Sequence, residues 1–447
     1  MDFLPHTEAD VTVMLDALGF DDLEQLFDAI PESVRAHGDL DVPAALDEIS
    51  LLAHMRELAG RSQGAAELVC FAGGGAYDHH VPSAVKALAS RAEFATSYTP
   101  YQPELSQGVL QAIFEFQSLV CELFGMEASN ASLYDGASAL VEAANLAVRV
   151  TGKERVTVSG ALHPNYVDVL RTYTSGLGIE VVVAPYGEDG VPAWTEVDAT
   201  ESAALVAGYP NFFGRIEDLP AAAGAAHSAG ALAVAVADPT AMGILAAPGD
   251  VGVDVVVGEG HALGNPMSYG GPYVGLFATK LTHVRQVPGR IAGETLDADG
   301  RRAFVLTLQA REQHIRRAKA TSNVCTNQTL MAIAAAIHLS WLGPGGLQRL
   351  GEICVRRTAR AAEILAALPG CRVLFDGARF KEIVLETPMD ATSLARKLAD
   401  RGFLVGPPLG RWFEELDRCL LIAVTEKRTE PEIAALAEAI EKELAET

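Results

Sequence analysis

Positive charge is scarce in this chain. Its 34 Lys and Arg face 58 Asp and Glu, a formal net charge of −24 over 447 residues. Nucleic-acid binding relies on clustered Lys and Arg against phosphate, so this balance argues against it. The one basic cluster, "REQHIRRAK" at Arg311 to Lys319, is short and reads as a solvated or interface helix face. Cysteine is sparse as well. The six residues (Cys70, Cys121, Cys325, Cys354, Cys371, Cys419) include no CxxC pair, and a reduced, cytoplasmic setting is expected. Those in apolar runs read as inert packing. No stretch approaches the ~20 uninterrupted apolar residues that a membrane helix needs. The start, "MDFLPHTEADVTVML", lacks a basic region followed by an apolar one, so no signal peptide is expected. Internal repeats and low-complexity segments are also missing. What is present is apolar content, 49%, enough for a large domain and a smaller one.

Residues 1–70 read as an N-terminal helical arm, too small to be a domain. Thr7 followed by Asp10 is close to a capping box before "VTVMLDALGF". A turn at Gly19, a second helix over "DDLEQLFDAI" and a third from about Ala44 to Leu58 follow. Residues 71–330 read as a large α/β domain. They open on a glycine-rich turn and helix, "FAGGGAYDHHVPSAVKALA", then the irregular "TSYTPYQPELSQG". The helix "VLQAIFEFQSLVCELF" repeats apolar residues at three and four, and Gly125 ends it. The runs "RVTVSG", "IEVVVAP", "ALVAGYP", "ALAVAVADP", "VDVVVGEG" and "YVGLFAT" then alternate with helices or loops. Continuous apolar strands of this kind form a largely parallel sheet covered on both faces. Its sites lie at the carboxyl ends of the strands. Residues 331–447 read as a small C-terminal α+β domain with strands "RVLFDG", "KEIVLET", "FLVGPPLG" and "CLLIAVTE".

Four features of the large domain suggest a site together. "DGASA" offers Asp135, Gly136 and Ser138 at a helix start, where free N–H groups and the helix dipole suit a phosphate. His163 follows a strand, where a ring can stack on a cofactor. Asp238 ends a strand, where a carboxylate can hold a protonated pyridine nitrogen. His261 sits in the loop "GEGHALGNP" after the next strand. Singly each has a blander reading: helix packing for the first, a turn cap for an Asp.

Their order is similar to that of fold-type I pyridoxal-phosphate enzymes. "AYDHHVPSAV", "YTPYQPELSQG", "SNASLYDGASALVEAANLA", "GEGHALGNPMSYGGPY", "RIAGETLDADGRRAFVLTLQAREQHIRRAKATSN" and "CTNQTL" closely resemble the alpha subunits of glycine decarboxylase. These are the P-protein of the glycine cleavage system in its split bacterial form. The resemblance covers nearly the whole chain. It implies a fold-type I pyridoxal-phosphate-dependent transferase fold and a homologous beta subunit that holds pyridoxal phosphate on a lysine. Here His261 stands at or near that lysine, and a histidine cannot form the imine. The resemblance thus implies a chain inactive alone, in an α2β2 assembly. That assembly decarboxylates glycine, releases CO2 and passes the aminomethyl group to the lipoyl arm of the H-protein.

Fold-type I sites are built from two chains, so residues of this chain are expected to line the partner's cleft. The candidates are Tyr98, Thr99, Tyr101, Gln102 and Glu104, in a segment stiffened by Pro100 and Pro103, with a packed connector as the alternative. Tyr77, His79 and His80 come second. The adjacent histidines do not read as a metal site, because they point differently and no third ligand is spaced to join them. Thr321, Ser322 and Asn323 are candidates for the partner's cofactor phosphate, against an N-capping role. Two competing readings are a complete pyridoxal-phosphate enzyme using Lys280, the lysine nearest the loop, and a non-catalytic scaffold.

Overall fold

The computed structural model describes residues 5–36, 38, 40–95 and 98–446. Thr96 and Ser97, which open the irregular segment, lie outside them. The chain divides into two compact units, Met1–Ser62 and Gln63–Thr447.

In the first unit, Thr7 and Asp10 form a reciprocal capping box at the start of helix Glu8–Leu18. Gly19 ends this helix with φ 75°, the left-handed conformation glycine adopts freely. The expected helix over "DDLEQLFDAI" shortens to one tight turn, Glu24–Phe27. Its own side chains explain this. Gln25 N–H donates to Asp22 Oδ1 (3.1 Å) and Asp21 N–H to Gln25 Oε1 (2.5 Å), so local capping displaces the helical ladder. The third helix starts at Glu48 rather than Ala44, because Asp47 caps it through Ser50 N–H at 2.9 Å. Neither helix buries a residue.

The second unit is built on a seven-stranded sheet. In spatial order its strands are Ala128–Ser129, Gly275–Thr279, Val255–Glu259, Leu232–Ala237, Ser202–Tyr209, Arg155–Ser159 and Glu180–Ala184. The last five are parallel, and Gly275–Thr279 runs antiparallel to its neighbours. Ser202–Tyr209 is buried along its whole length, which is why its sequence is apolar and unalternating. One face carries a core around Phe116, Phe124 and Trp194, and the other a core around Leu140, Leu146 and Phe277.

The antiparallel strands Arg372–Leu374, Glu382–Glu386 and Cys419–Ala423 form a smaller sheet. Val69–Ala72 pairs in parallel with Phe403–Gly406, which carries the glycine-rich turn after it to this C-terminal region. A hairpin, Ile291–Leu296 with Arg302–Thr307, packs on helix Gln107–Phe124, where Gln117 exchanges two 2.9 Å hydrogen bonds with Ala292. Helix Thr329–Ala366, interrupted at Gly343, is long and apolar enough by composition to cross a membrane. Its Ala332, Ala335 and Leu339 lie in the large core.

Candidate active site

The parallel strands deliver their carboxyl ends to one place. His163, Asp238 and His261 all line a single pocket there, with Tyr77 and Glu382 from the C-terminal side. Asp238 directly follows strand Leu232–Ala237. Its Oδ1 accepts from Thr240 N–H (2.8 Å) and Thr240 Oγ1 (2.6 Å). Its Oδ2 pairs with Lys381 Nζ at 2.5 Å. Burial alone would raise the Asp238 pKa, but Lys381 overrides it and holds the carboxyl at about 2.

Lys381 is only 1% exposed and comes from the residue preceding strand Glu382–Glu386. Its Nζ also lies 3.2 Å from His79 Nε2 and 3.5 Å from the centre of the Tyr77 ring. The ammonium is therefore fully partnered, with a cation–π contact to Tyr77. Its backbone sits at φ 63°, which costs a non-glycine residue roughly 1–2 kcal/mol. His79 Nδ1 in turn faces Glu426 at 2.6 Å. His80 donates its N–H to the same carboxylate at 2.6 Å.

His163 caps its own helix, Pro164–Thr174, by accepting Asn165 N–H at Nδ1 (3.1 Å). Nε2 therefore carries the proton and donates to Gly74 O at 2.7 Å. Burial lowers the His163 pKa, in keeping with a neutral ring. That ring stacks on Tyr166, with centroids 5.1 Å apart at 16°. Asp135 caps helix Gly136–Thr151 through Ser138 N–H at 2.7 Å. Gly136 N–H donates to Glu259 Oε2 at 3.0 Å, and Glu259 Oε1 accepts from His261 N–H at 3.0 Å. A Cβ on Gly136 would lie 2.2 Å from Tyr166 Oη, so that hydroxyl rests on the helix start. His261 accepts Tyr77 N–H at Nε2 (2.9 Å) and faces Asn265 O with Nδ1 (3.2 Å). Burial pushes its pKa down to about 3, so the ring is neutral and fixed.

Pyridoxal phosphate does not fit this set. The oxygen of Asp238 that would face a pyridinium nitrogen holds Lys381. The helix amide that would meet a phosphate holds Glu259. Tyr166 lies against His163, and His261 offers no primary amine.

A second polar cluster gathers elsewhere. Tyr98 Oη meets Thr326 Oγ1 at 3.0 Å, and Arg290 Nη2 donates to Tyr101 Oη at 2.9 Å. Ser322 Oγ donates to Glu142 Oε1 at 2.9 Å, while Thr321 N–H donates to Arg311 O at 3.2 Å. Several buried polar atoms here have no hydrogen-bond partner among the described residues: Thr99 Oγ1, Glu142 Oε2, Arg290 Nε and Nη1, and Arg311 Nε and Nη2. Arg290 and Arg311 are 4% and 8% exposed. Burying guanidinium nitrogens without hydrogen bonds is costly, and the Glu312 carboxylate near both arginines offsets part of that cost.

Comparison with known proteins decides what the fold belongs to. Residues 1–440 match the family model described as glycine cleavage system P-protein. The chain belongs to the glycine cleavage system P-protein family. A probable glycine dehydrogenase (decarboxylating) subunit 1 from Desulforamulus reducens is 50% identical over 440 residues, 98% of each chain. A crystal structure of glycine decarboxylase (P-protein), in inhibitor-bound form, superposes with a TM-score of 0.91 at 46% identity, covering 99% of this chain and 100% of that one. A sphingosine-1-phosphate lyase from Burkholderia pseudomallei, 17% identical with a TM-score of 0.66 over 94% of both chains, shares the fold alone. The fold is thus that of fold-type I pyridoxal-phosphate enzymes. Within the P-protein family this chain stands with subunit 1 of the split glycine dehydrogenase (decarboxylating), one component of a heteromeric glycine decarboxylase.

The residues read from the P-protein motifs separate into two places. Asp135, Gly136, Ser138, His163, Asp238 and His261 lie in and around this pocket, and Tyr77 and His79 join them rather than the second cluster. Tyr98, Thr99 and Tyr101 fall in the second cluster, with Gln102 and Glu104 exposed beside them in sequence. Thr321 and Ser322 lie there too, and Asn323 is exposed. None of the three caps the long helix, which starts at Thr329 after Gln328. Lys280, the lysine nearest the loop in sequence, pairs with Asp254 at 2.5 Å and does not line the pocket. The lysine that reaches Asp238 is Lys381, which sequence reading missed, together with Glu259, Arg290 and Arg311.

Proposed function

We propose that this chain is the non-anchoring alpha subunit, and that the partner beta subunit holds pyridoxal phosphate on its own lysine in an α2β2 assembly. Bound there, the cofactor supplies the electron sink that lets the carboxyl of glycine leave as CO2. The aminomethyl group then passes to the lipoyl arm of the H-protein. The observation that carries this reading is the contrast between the two clusters: the charged groups of the chain's own cofactor pocket pair with one another, while Arg290 and Arg311 keep buried nitrogens without hydrogen-bond partners among the described residues.

In this assembly Tyr98, Thr99, Tyr101, Gln102 and Glu104 line the partner's cleft. Arg290 fixes the Tyr101 hydroxyl, and Tyr98 is braced on Thr326. Thr321, Ser322 and Asn323 face the partner's cofactor phosphate, with Ser322 oriented by Glu142. A polar wall of fixed hydroxyls keeps bulk water out and holds glycine in one orientation. The N-terminal arm, whose helices bury nothing, is covered by the partner. The six free cysteines agree with a cytoplasmic setting.

The test is substitution in the assembled enzyme. Tyr98→Phe and Gln102→Ala should each lower glycine turnover while the subunits still co-elute. Normal turnover in both would remove the segment from the cleft.

A further inference from the structure

In a fold of this type without a charged cofactor, Asp238 lacks a cation and the helix start lacks an anion unless the chain provides substitutes. This chain fills both places from its own sequence, the first with the Lys381 ammonium and the second with the Glu259 carboxyl. We infer that the pocket is a clasp: Lys381 stands where a ring nitrogen would meet Asp238, Tyr166 fills the space beside His163, and Glu259 takes the Gly136 amide, joining the C-terminal sheet to the large sheet.

The geometry supports each part. Lys381 immediately precedes strand Glu382–Glu386, whereas Asp238 follows strand Leu232–Ala237 of the large sheet. Their 2.5 Å ion pair therefore ties one sheet to the other. The next residue adds a second tie. Glu382 Oε1 accepts Gly74 N–H at 2.7 Å and Oε2 accepts Tyr77 Oη at 3.1 Å, and Tyr77 N–H bonds His261 at the end of the large sheet. The left-handed backbone at Lys381 turns its side chain inward at a conformational cost, which a solvated lysine would have no reason to bear. Both oxygens of Asp238 accept a hydrogen bond or ion pair, and every donor of Lys381 is used. A clasp of this kind closes the fold without cofactor, so closure of this subunit does not await cofactor loading of the assembly.

Two measurements on the full chain test it. The first is a double-mutant cycle by urea unfolding with Asp238→Asn, Lys381→Met and the pair together. Each single change strands a buried partner, so each should lower the midpoint, and the double should recover more than half of the larger loss. Losses that simply add would overturn the clasp. The second needs no variant. Wild-type chain is incubated with pyridoxal phosphate, reduced with borohydride and weighed intact. The clasp predicts no adduct on Lys381; a stoichiometric one would make this lysine a cofactor anchor instead. Neither readout involves glycine turnover, so the clasp can fail while the subunit assignment stands.

Discussion

Buried carboxylates around the pocket fall into two classes, set by what faces each one. Asp238 and Glu426 are largely shielded from solvent, yet Lys381 and His79 respectively hold them at about 2. Glu217, Glu259 and Glu382 lack such a partner in contact, and burial pushes them up to about 7, 8 and 7. In an unfolded chain all five titrate near 4. For the first class the folded carboxyl holds its proton less tightly than the unfolded one. That stabilisation is present above about pH 4 and is lost as pH falls toward 2. For the second class the folded carboxyl holds its proton more tightly. That stabilisation is present below about pH 4 and is lost as pH rises through 7 to 8. Unfolding followed from pH 5 to 9 should therefore show stability falling up to about pH 8 and levelling beyond it. Glu217→Gln should flatten part of that fall, because glutamine can accept from Trp194 Nε1 while the Ser159 hydroxyl reverses to accept from it. An unchanged slope would assign that loss to other groups.

At the scale of elements, what was legible in the sequence is what local chemistry decides. The Val- and Ala-rich runs announced parallel strands because a strand covered on both faces has no polar alternation. Thr7 with Asp10 announced a helix start, and Gly125 announced a stop, which it makes at φ 65°. Asp135, His163, Asp238 and His261 could be related to one another because parallel strands bring all their carboxyl ends to one edge. Lys381 could not be read this way. A lysine heading the apolar run "KEIVLET" looks solvated, and its partner lies more than a hundred residues earlier. Arg290 and Arg311 hid for the same reason, since only tertiary packing buries them. The helix start at Gly136 offers a sharp test of how tightly the pocket is filled. Gly136→Ala would drive a methyl into Tyr166 Oη, 2.2 Å away, and toward Glu259 N at 2.9 Å. It should cost about 1–3 kcal/mol in urea unfolding. Adding Tyr166→Phe removes the nearer atom and should recover part of that loss. No recovery would place the strain at the Glu259 backbone alone.

For the whole molecule, the arm and the second polar cluster point the same way. Helices Glu8–Leu18 and Glu48–Ala59 have 11 and 12 residues, a length that is marginal in isolation. They leave Leu18, Leu51 and Met55 exposed, and the turn Glu24–Phe27 between them leaves Phe27 exposed. A chain lacking residues 1–62 should keep the urea midpoint of the remaining unit but bind the partner subunit more weakly, as read by co-elution; unweakened binding would free the arm from that role. The central claim is complementarity between two chains, and glycine-dependent CO2 release tests it most directly. It would be measured for this chain alone with pyridoxal phosphate and lipoylated carrier, and again with the lysine-bearing subunit added. The account predicts no release from this chain alone and release once the partner is present. Turnover by this chain alone would contradict it and make the chain a complete enzyme.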